Sequence, residues 1–175
     1  LNYDRLYNVG YYFEGGELID GKNHLTSDWG EYHTDTRKAT FNYNVELKSP
    51  KFRLVSDTLH YNTINKWAQV VGKSNIYSGN DRIYTEMGYY NTQTEKVRLF
   101  KGTRLFNGER EMKGDTLYYN KATGVMEAFS NVECIDRKNK NILTGNYGWY
   151  NEKTGEAMAT KRALARDFSQ GKDTL

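Results

Sequence analysis

The sequence predicts an all-β repeat protein, and three observations lead to that prediction. The dipeptide Tyr-Asn occurs at Tyr61-Asn62, Tyr90-Asn91 and Tyr119-Asn120, each pair 29 residues after the one before, and returns at Tyr150-Asn151 after 31. Aromatic residues make up 14% of the chain against a single proline, Pro50. This balance favours strands, because aromatic side chains suit a pleated surface and proline removes ladder hydrogen bonds. Within each period, apolar residues alternate with polar ones.

Other columns of the repeat keep the same register. One is acidic (Asp28, Asp57, Glu86, Asp115), and two are mostly apolar (Phe13, Asn42, Val71, Phe100, Phe129, Thr160 and Leu18, Leu47, Ile76, Leu105, Cys134, Ala165). A period of this size means that each unit is one supersecondary element that buries its apolar face against its neighbours. We therefore expect about six 29-residue units in a single domain over residues 1–175. Because both ends fall at the same phase of the repeat, we expect a piece of a longer protein.

Each unit reads as a hairpin, most clearly between Asp115 and Cys134. A short strand ends at Tyr119 and a turn follows over residues 120–124, where Asn120 is able to bond its own backbone and Gly124 to take a positive φ. A longer strand comes next, and a polar turn such as Asn107-Gly108 sends it back. The two extra residues of the last period fall within residues 136–141, where they lengthen a turn.

The longer strands have one apolar face and a break in the middle. Two sets of residues share a parity: Val97, Leu99, Thr103 and Leu105, and Met126, Ala128, Val132 and Cys134. Between the halves of each strand lie residues suited to a bend or bulge: Gly15, Asn44, Gly72, Gly102 and Asn131. Strands bent at the same place in every unit predict two sheet halves joined along a fold line, with an apolar trough between them.

One segment argues against an all-β chain. Residues 156–166 are rich in helix formers, so propensity alone favours a helix there. The repeat register instead places Ala157, Ala159, Ala163 and Ala165 in the columns of Val97, Leu99, Thr103 and Leu105. We therefore expect a strand with small inward residues.

The composition argues against several functions. The net charge is only +3, the mean hydropathy is −0.87, and Lys and Arg alternate with Asp and Glu, which lacks the basic stripe of a nucleic-acid-binding surface. No stretch approaches the ~20 apolar residues of a membrane helix. Cys134 is the only cysteine, so no internal disulfide is possible, and its aliphatic column predicts a small buried hydrophobe.

An enzyme is also disfavoured. A carboxylate repeated in every unit bonds a turn more readily than it catalyses, and we find no triad, phosphate loop or zinc spacing. His24, His33 and His60 occupy unrelated positions of the repeat, which argues against a metal site. We expect no catalytic residues, no metal and no cofactor.

The units resemble the OstA-like family. They have the form Asp-x-Leu-x-Tyr-Asn-x-x-Thr-Gly, followed by a hydrophobic alternation broken by Phe-x-Gly/Asn-x-Val, with the best matches at residues 86–105 and 115–134. The resemblance covers essentially the whole chain. It implies a folded-over antiparallel β-jellyroll, or β-taco, like that of LptA-type lipopolysaccharide-transport proteins. It also implies a periplasmic location in a Gram-negative bacterium, as the bridge between membranes or as a soluble domain of a membrane partner.

On this resemblance, the expected ligand is lipopolysaccharide or a related acylated lipid. Its acyl chains would lie along Val70, Ile76, Val97, Leu99, Leu105, Met126, Val132 and Cys134. The expected partners are other transport proteins joined through edge strands, or further copies of the chain joined head to tail. The alternative is a structural repeat shell or adhesin-like surface protein, which would not need apolar inner columns.

Overall fold

The computed structural model describes residues 1–169, which form fifteen β-strands and no helix, and so none that is long and apolar enough to cross a membrane. The strands are β1 (Asn2–Asp4), β2 (Val9–Tyr12), β3 (Gly16–Asp20), β4 (Asn23–Ser27), β5 (Trp29–His33), β6 (Lys38–Lys48), β7 (Arg53–Asn62), β8 (Trp67–Ser78), β9 (Asp81–Asn91), β10 (Lys96–Asn107), β11 (Arg110–Asn120), β12 (Val125–Asp136), β13 (Asn141–Asn151), β14 (Ala157–Thr160) and β15 (Leu164–Asp167). The prediction of an all-β fold is confirmed.

All strands belong to one antiparallel sheet. From β5 to β13 each strand pairs with the next along the chain, while β2 pairs with β5, and β3 and β4 form a hairpin that joins β6. The segment in which helix and strand compete forms two short strands, because β14 and β15 both pair with β13, for instance Tyr147 with Thr160 and Leu143 with Ala165. Ladder pairing therefore overrides the helix propensity of these alanines. The prediction of a strand with inward alanines needs correction: Ala163 lies between the two strands, and Ala157, Ala163 and Ala165 are exposed.

The long strands bend where the sequence predicts it. The register shifts between Asn42 and Val45 in β6, and the corresponding shifts in β8, β10 and β12 lie between residues 71 and 74, 100 and 103, and 129 and 132. All five predicted bend residues have a positive φ: Gly15, Asn44, Gly72, Gly102 and Asn131. At three bends the residue before, Tyr43, Lys101 or Ser130, is left-handed as well. At these three bends, two consecutive left-handed residues form the corner.

Three of the four residues of the acidic column, Asp28, Asp57 and Asp115, bond at these corners, whereas Glu86 accepts a hydrogen bond from Tyr84. Asn44 donates its side-chain amide to Asp28 at 2.7 Å, and Asn131 donates to Asp115 at 2.8 Å. At the bend of β8 the backbone N–H of Lys73 donates to Asp57 at 3.0 Å. Each of these three carboxylates thereby ties the left-handed corner of one strand to the adjacent strand, which offsets the cost of the unusual backbone.

The turns that follow β7, β9, β11 and β13 begin with asparagine. The side-chain oxygen of Asn62, Asn91, Asn120 or Asn151 accepts a bond from the backbone N–H two residues later, at 2.9 to 3.2 Å. The fourth residue after each asparagine has a positive φ, whether it is Gly124 and Gly155 or Lys66 and Glu95. The predicted turn geometry therefore persists without glycine.

The bends divide the sheet into two halves that face each other. We call the half that ends at the asparagine turns the upper half (residues 38–42, 58–62, 67–71, 87–91, 96–100, 116–120, 125–129 and 147–151) and the other the lower half (45–48, 53–55, 74–78, 81–84, 103–107, 110–113, 132–136 and 141–144). One buried cluster contains residues of both, such as Phe41 and Leu59 from the upper half and Val45 and Leu54 from the lower. The sheet is therefore folded over an apolar interior.

A glycine in this interior gives a test of the packing. A Cβ at Gly148 would lie 2.7 Å from Cγ1 of Val132, whose side chain is only 2% exposed. Because the branched valine has little freedom to move, we expect Gly148→Ala to lower the free energy of unfolding by about 1–3 kcal/mol, measured by urea denaturation.

The matched control is Gly10→Ala, whose Cβ would meet its nearest neighbours at 3.8 and 3.9 Å. We expect its unfolding free energy to stay within about 0.5 kcal/mol of the wild-type value. Equal stability of the two variants would contradict the packing described here.

Candidate functional site

A large apolar cavity lies between the two halves of the sheet. Its volume is about 1270 Å³, above the roughly 300–1,000 Å³ of ordinary small-molecule pockets. Its lining extends along the chain from Leu1 to Glu152, with Phe41, Leu59 and Ile83 among the apolar contributors. The cavity has room for an extended apolar ligand, and each methylene that it buries contributes about 0.8 kcal/mol.

Six of the eight sequence-predicted ligand residues line this cavity: Val70, Ile76, Val97, Leu99, Leu105 and Met126. The other two lie beyond its lining. Val132 is 2% exposed in the core, and the partly buried Cys134 packs against the same group of residues. That these side chains bind lipid stays a prediction, but the structure gives the first six a shared space and the last two a packing role.

The interior is filled unevenly along the molecule. A second cluster, Leu99, Met112, Leu117, Met126, Ala128 and Val132, is tightly packed, and Leu117 and Ala128 are completely buried. Of its members, only Leu99 and Met126 face the cavity. The cavity is therefore lined mainly by the earlier strands, and β11, β12 and β13 contribute only Tyr119, Met126 and Tyr150 to its lining.

Sequence reasoning missed a column of small residues along the inside of the fold line. Ser27, Ser56 and Thr85 occupy one repeat position and are at most 4% exposed. The hydroxyls of Ser56 and Ser74 are 2.8 Å apart, and Thr85 donates to the carbonyl of Phe100 at 2.9 Å. Small side chains let the two halves approach at the corner, and the signal was present in the sequence as a small residue in every period.

Sequence reasoning also missed the direction of the signature tyrosines. Tyr32, Tyr61, Tyr90, Tyr119 and Tyr150 all line the cavity, near the asparagine turns of the upper half. Their inward direction follows from alternation, since Tyr119 shares the parity of the buried Leu117. The dipeptide that defines the repeat therefore places a tyrosine inside the mouth and an asparagine in the turn.

Two contacts cross the mouth of the cavity between strands that are not neighbours in the sheet. Lys51, in the turn before β7, lies 3.1 Å from the carboxylate of Glu95 in the turn before β10. Beside this ion pair, the rings of Phe52 and Tyr90 meet edge to face with centroids 5.8 Å apart. The turns at the open edges of the two halves are thus in contact at the middle of the mouth.

The mouth also carries partly desolvated polar groups. Tyr119 donates to Glu152 at 2.8 Å, and burial together with this bond raises the pKa of the phenol. Burial raises the pKa of Asp81, to which Asn107 donates, and the nearby Glu152 carboxylate raises it further. The Tyr119 hydroxyl is therefore a neutral donor, and this part of the mouth carries acidic groups.

The histidines are dispersed. His24 lies 2.8 Å from Glu17, His33 lies 3.3 Å from Glu31, and His60 lies 3.2 Å from the hydroxyl of Thr40. Over residues 1–169 no three His, Cys, Asp or Glu side chains are grouped in a way that would hold a metal ion.

Comparison with known proteins identifies the family of the chain. A sequence profile described as "OstA-like protein" matches residues 1–57 and 69–165. The chain belongs to the OstA-like family. No curated protein sequence is significantly similar to it.

A solved structure is also similar: LptH from Pseudomonas aeruginosa, described as the LptA-homologous periplasmic component of the conserved lipopolysaccharide transport device. The two chains are 11% identical, the match covers 94% of this chain and 97% of LptH, and the TM-score is 0.35. The assignment to the OstA-like family rests on the sequence profile.

The thiol of this OstA-like chain gives a pH-dependent test. Burial raises the pKa of Cys134 to about 11, and only the thiolate reacts. We expect slow labelling by a bulky maleimide at pH 7, with a rate that rises about tenfold per pH unit until the pH approaches that pKa. The same chain unfolded in urea, where the thiol has an ordinary pKa, is the control. Labelling at pH 7 as fast as in urea would contradict the placement of Cys134 against the core.

Proposed function

We propose that the chain is a non-enzymatic lipid carrier. It holds the acyl chains of lipopolysaccharide, or of a related acylated lipid, in the cavity between the two halves of the sheet, and it works in the periplasm of a Gram-negative bacterium during lipopolysaccharide transport. The observation that carries the proposal is the apolar cavity of about 1270 Å³. Membership of the OstA-like family supports the same conclusion.

The physical chemistry of the cavity suits acyl chains. Its walls are apolar side chains on rigid strands, so it takes up hydrocarbon without any specific polar contact, at about 0.8 kcal/mol per buried methylene. Both buried clusters hold the fold together, and most residues of the earlier one also line the cavity. A bridge between membranes and a soluble domain of a membrane partner would use this trough in the same way.

A photo-crosslinker in place of Leu105 tests lipid carriage. Leu105 lines the cavity, so we expect irradiation of living cells to join this position to acylated lipid, detected as a lipid adduct by mass spectrometry. The matched control is the same crosslinker in place of Tyr43, which is 68% exposed at a bend and should give no adduct.

The alternative function, a structural shell or adhesin-like surface protein, predicts the opposite result. Such a protein would give no adduct at either position, and the organic extract of the purified chain would contain no acylated lipid. That pair of results, from a chain whose folding is verified by circular dichroism, would refute lipid carriage.

The carrier joins its neighbours by strand addition. Among the described residues, β1 pairs only with β2, and β14 and β15 pair only with β13, so each has one edge with free backbone donors and acceptors. Edges of this kind pair with a further strand unless they are covered. Addition of a like domain, or of another lipopolysaccharide-transport protein, would continue the trough from one molecule into the next.

A lysine on the edge strand tests this assembly. We expect light scattering to show association that grows with protein concentration, and we expect Tyr3→Lys, in β1, to weaken it because charged edges resist pairing. The matched control is Tyr43→Lys, away from the edges; the two tyrosines are 54% and 68% exposed. A chain that stays monomeric at high concentration, and that captures no transport protein from cells, would contradict the assembly.

A further inference from the structure

The inward tyrosines of the upper half have a feature that acyl-chain binding does not require. All five line the cavity, and three of their hydroxyls have partners in the turns that follow the strands. Arg37 donates to the Tyr32 hydroxyl at 3.5 Å, the hydroxyls of Tyr61 and Thr92 are 3.5 Å apart, and Tyr119 donates to Glu152 at 2.8 Å. All three partners lie in the turns that border the mouth. We call Tyr32, Tyr61, Tyr90, Tyr119 and Tyr150 the tyrosine column.

The tyrosine column is uniform, whereas two neighbouring columns vary in residue type. Seven residues after each tyrosine the chain has Ala39, Ala68, Val97, Met126 and Ala157, and nine residues after each tyrosine it has Phe41, Val70, Leu99, Ala128 and Ala159. If the tyrosine column served only to fill space, phenylalanine or leucine would serve as well. Tyrosine is instead the side chain for a boundary where one end is apolar and the other is wet.

Three members of the column have a hydroxyl to offer, since that of Tyr61 has, among the residues described, only the Thr92 hydroxyl, 3.5 Å away, as a partner. Within residues 1–169 the hydroxyls of Tyr90 and Tyr150 take no protein partner, and no polar side-chain atom in that range is buried without one. Both hydroxyls are therefore reachable from the cavity or its mouth. Burial raises the pKa of Tyr90, so its phenol stays neutral and able both to donate and to accept a hydrogen bond.

The charges around the mouth indicate what kind of head group fits. Lys51 is neutralised by Glu95 at 3.1 Å. Asp81 and Glu152 add two carboxylates to the lining of the same cavity as Tyr119, and Glu152 accepts a hydrogen bond from the Tyr119 hydroxyl. Lys66 and Lys121 also line the cavity, so the mouth carries charges of both signs and does not favour an anionic head group. Sugar hydroxyls would instead donate to these carboxylates and exchange hydrogen bonds with the phenols.

We propose that the tyrosine column is the head-group side of the binding site: the chains of a glycolipid lie in the cavity, and its sugar hydroxyls bond to the hydroxyls of Tyr61, Tyr90 and Tyr150. This inference rests on the proposed lipid-carrier function and specifies its ligand. The column fixes how deeply the amphiphile sits, because the apolar chain stops where the phenol oxygens begin.

Three probes and a set of isosteric variants test it. N-phenyl-1-naphthylamine is an apolar fluorophore without a sugar head, and dodecyl glucoside and dodecyl phosphate, used below their critical micelle concentrations, share one chain and differ in the head. For Tyr90→Phe we expect dodecyl glucoside to bind about three- to tenfold more weakly, as for one lost hydrogen bond. We expect a larger loss for the triple variant Tyr61→Phe/Tyr90→Phe/Tyr150→Phe.

Binding of the fluorophore should stay within about twofold in both variants, because the rings and the cavity are unchanged. Tyr43→Phe is the control, since Tyr43 lies at a bend and is 68% exposed, and it should change nothing. Thermal unfolding monitored by circular dichroism establishes that each variant is folded.

The outcomes separate the two proposals. If the fluorophore binds but dodecyl glucoside binds the triple variant as tightly as the wild type, the head-group role is wrong and lipid carriage stands. If dodecyl phosphate is weakened as much as dodecyl glucoside, the choice of a sugar is wrong. If the wild type binds none of the three probes, the carrier function itself fails.

Discussion

The fold depends on a corner that recurs at the same place in every unit. An antiparallel meander of long strands would ordinarily form an open twisted sheet with one face in water. Here the strands turn through left-handed residues such as Tyr43 and Asn44, and the carboxylate of Asp28 bonds Asn44 from the adjacent strand. Because these corners are stacked at intervals of one repeat, their individual turns align into a fold line. A single misplaced corner would break the alignment for its neighbours on both sides.

The same repeat gives the interior its wall and its mouth. In a strand, successive side chains point to opposite faces, so a dipeptide at the strand end serves two purposes. The tyrosine of Tyr119-Asn120 lines the cavity, while the asparagine bonds the backbone of the following turn. The turn needs its asparagine at that position, and alternation then fixes the residue before it on the inner face. The residue that bonds the turn and the residue that lines the cavity are therefore adjacent in the sequence.

Local rules were sufficient to predict much of this architecture. Turns at Asn120 and Asn151, bends at Gly102 and Asn131, and a strand over the alanine-rich segment all follow from residue type combined with register. The size of the cavity and its position among the earlier strands did not follow, because they depend on pairs of side chains that meet across the fold. Val132 illustrates the difference. Its column predicts an inward residue, but only the absence of a side chain at Gly148 lets it fill the space.

The two buried clusters differ in how much of the cavity they line. An apolar trough open along its whole length would leave little buried core, and a sheet that faces water on both sides is not stable. This molecule separates the two requirements along its axis. The cluster around Leu117 and Ala128 is fully desolvated and provides packing, while the earlier strands spread their apolar residues around open space. The Lys51–Glu95 pair and the Phe52–Tyr90 contact join the two halves at the mouth. An exposed ion pair of this kind contributes at most about 1 kcal/mol, so the halves are held together mainly by the two buried apolar clusters, one among β4–β8 and the other among β10–β12.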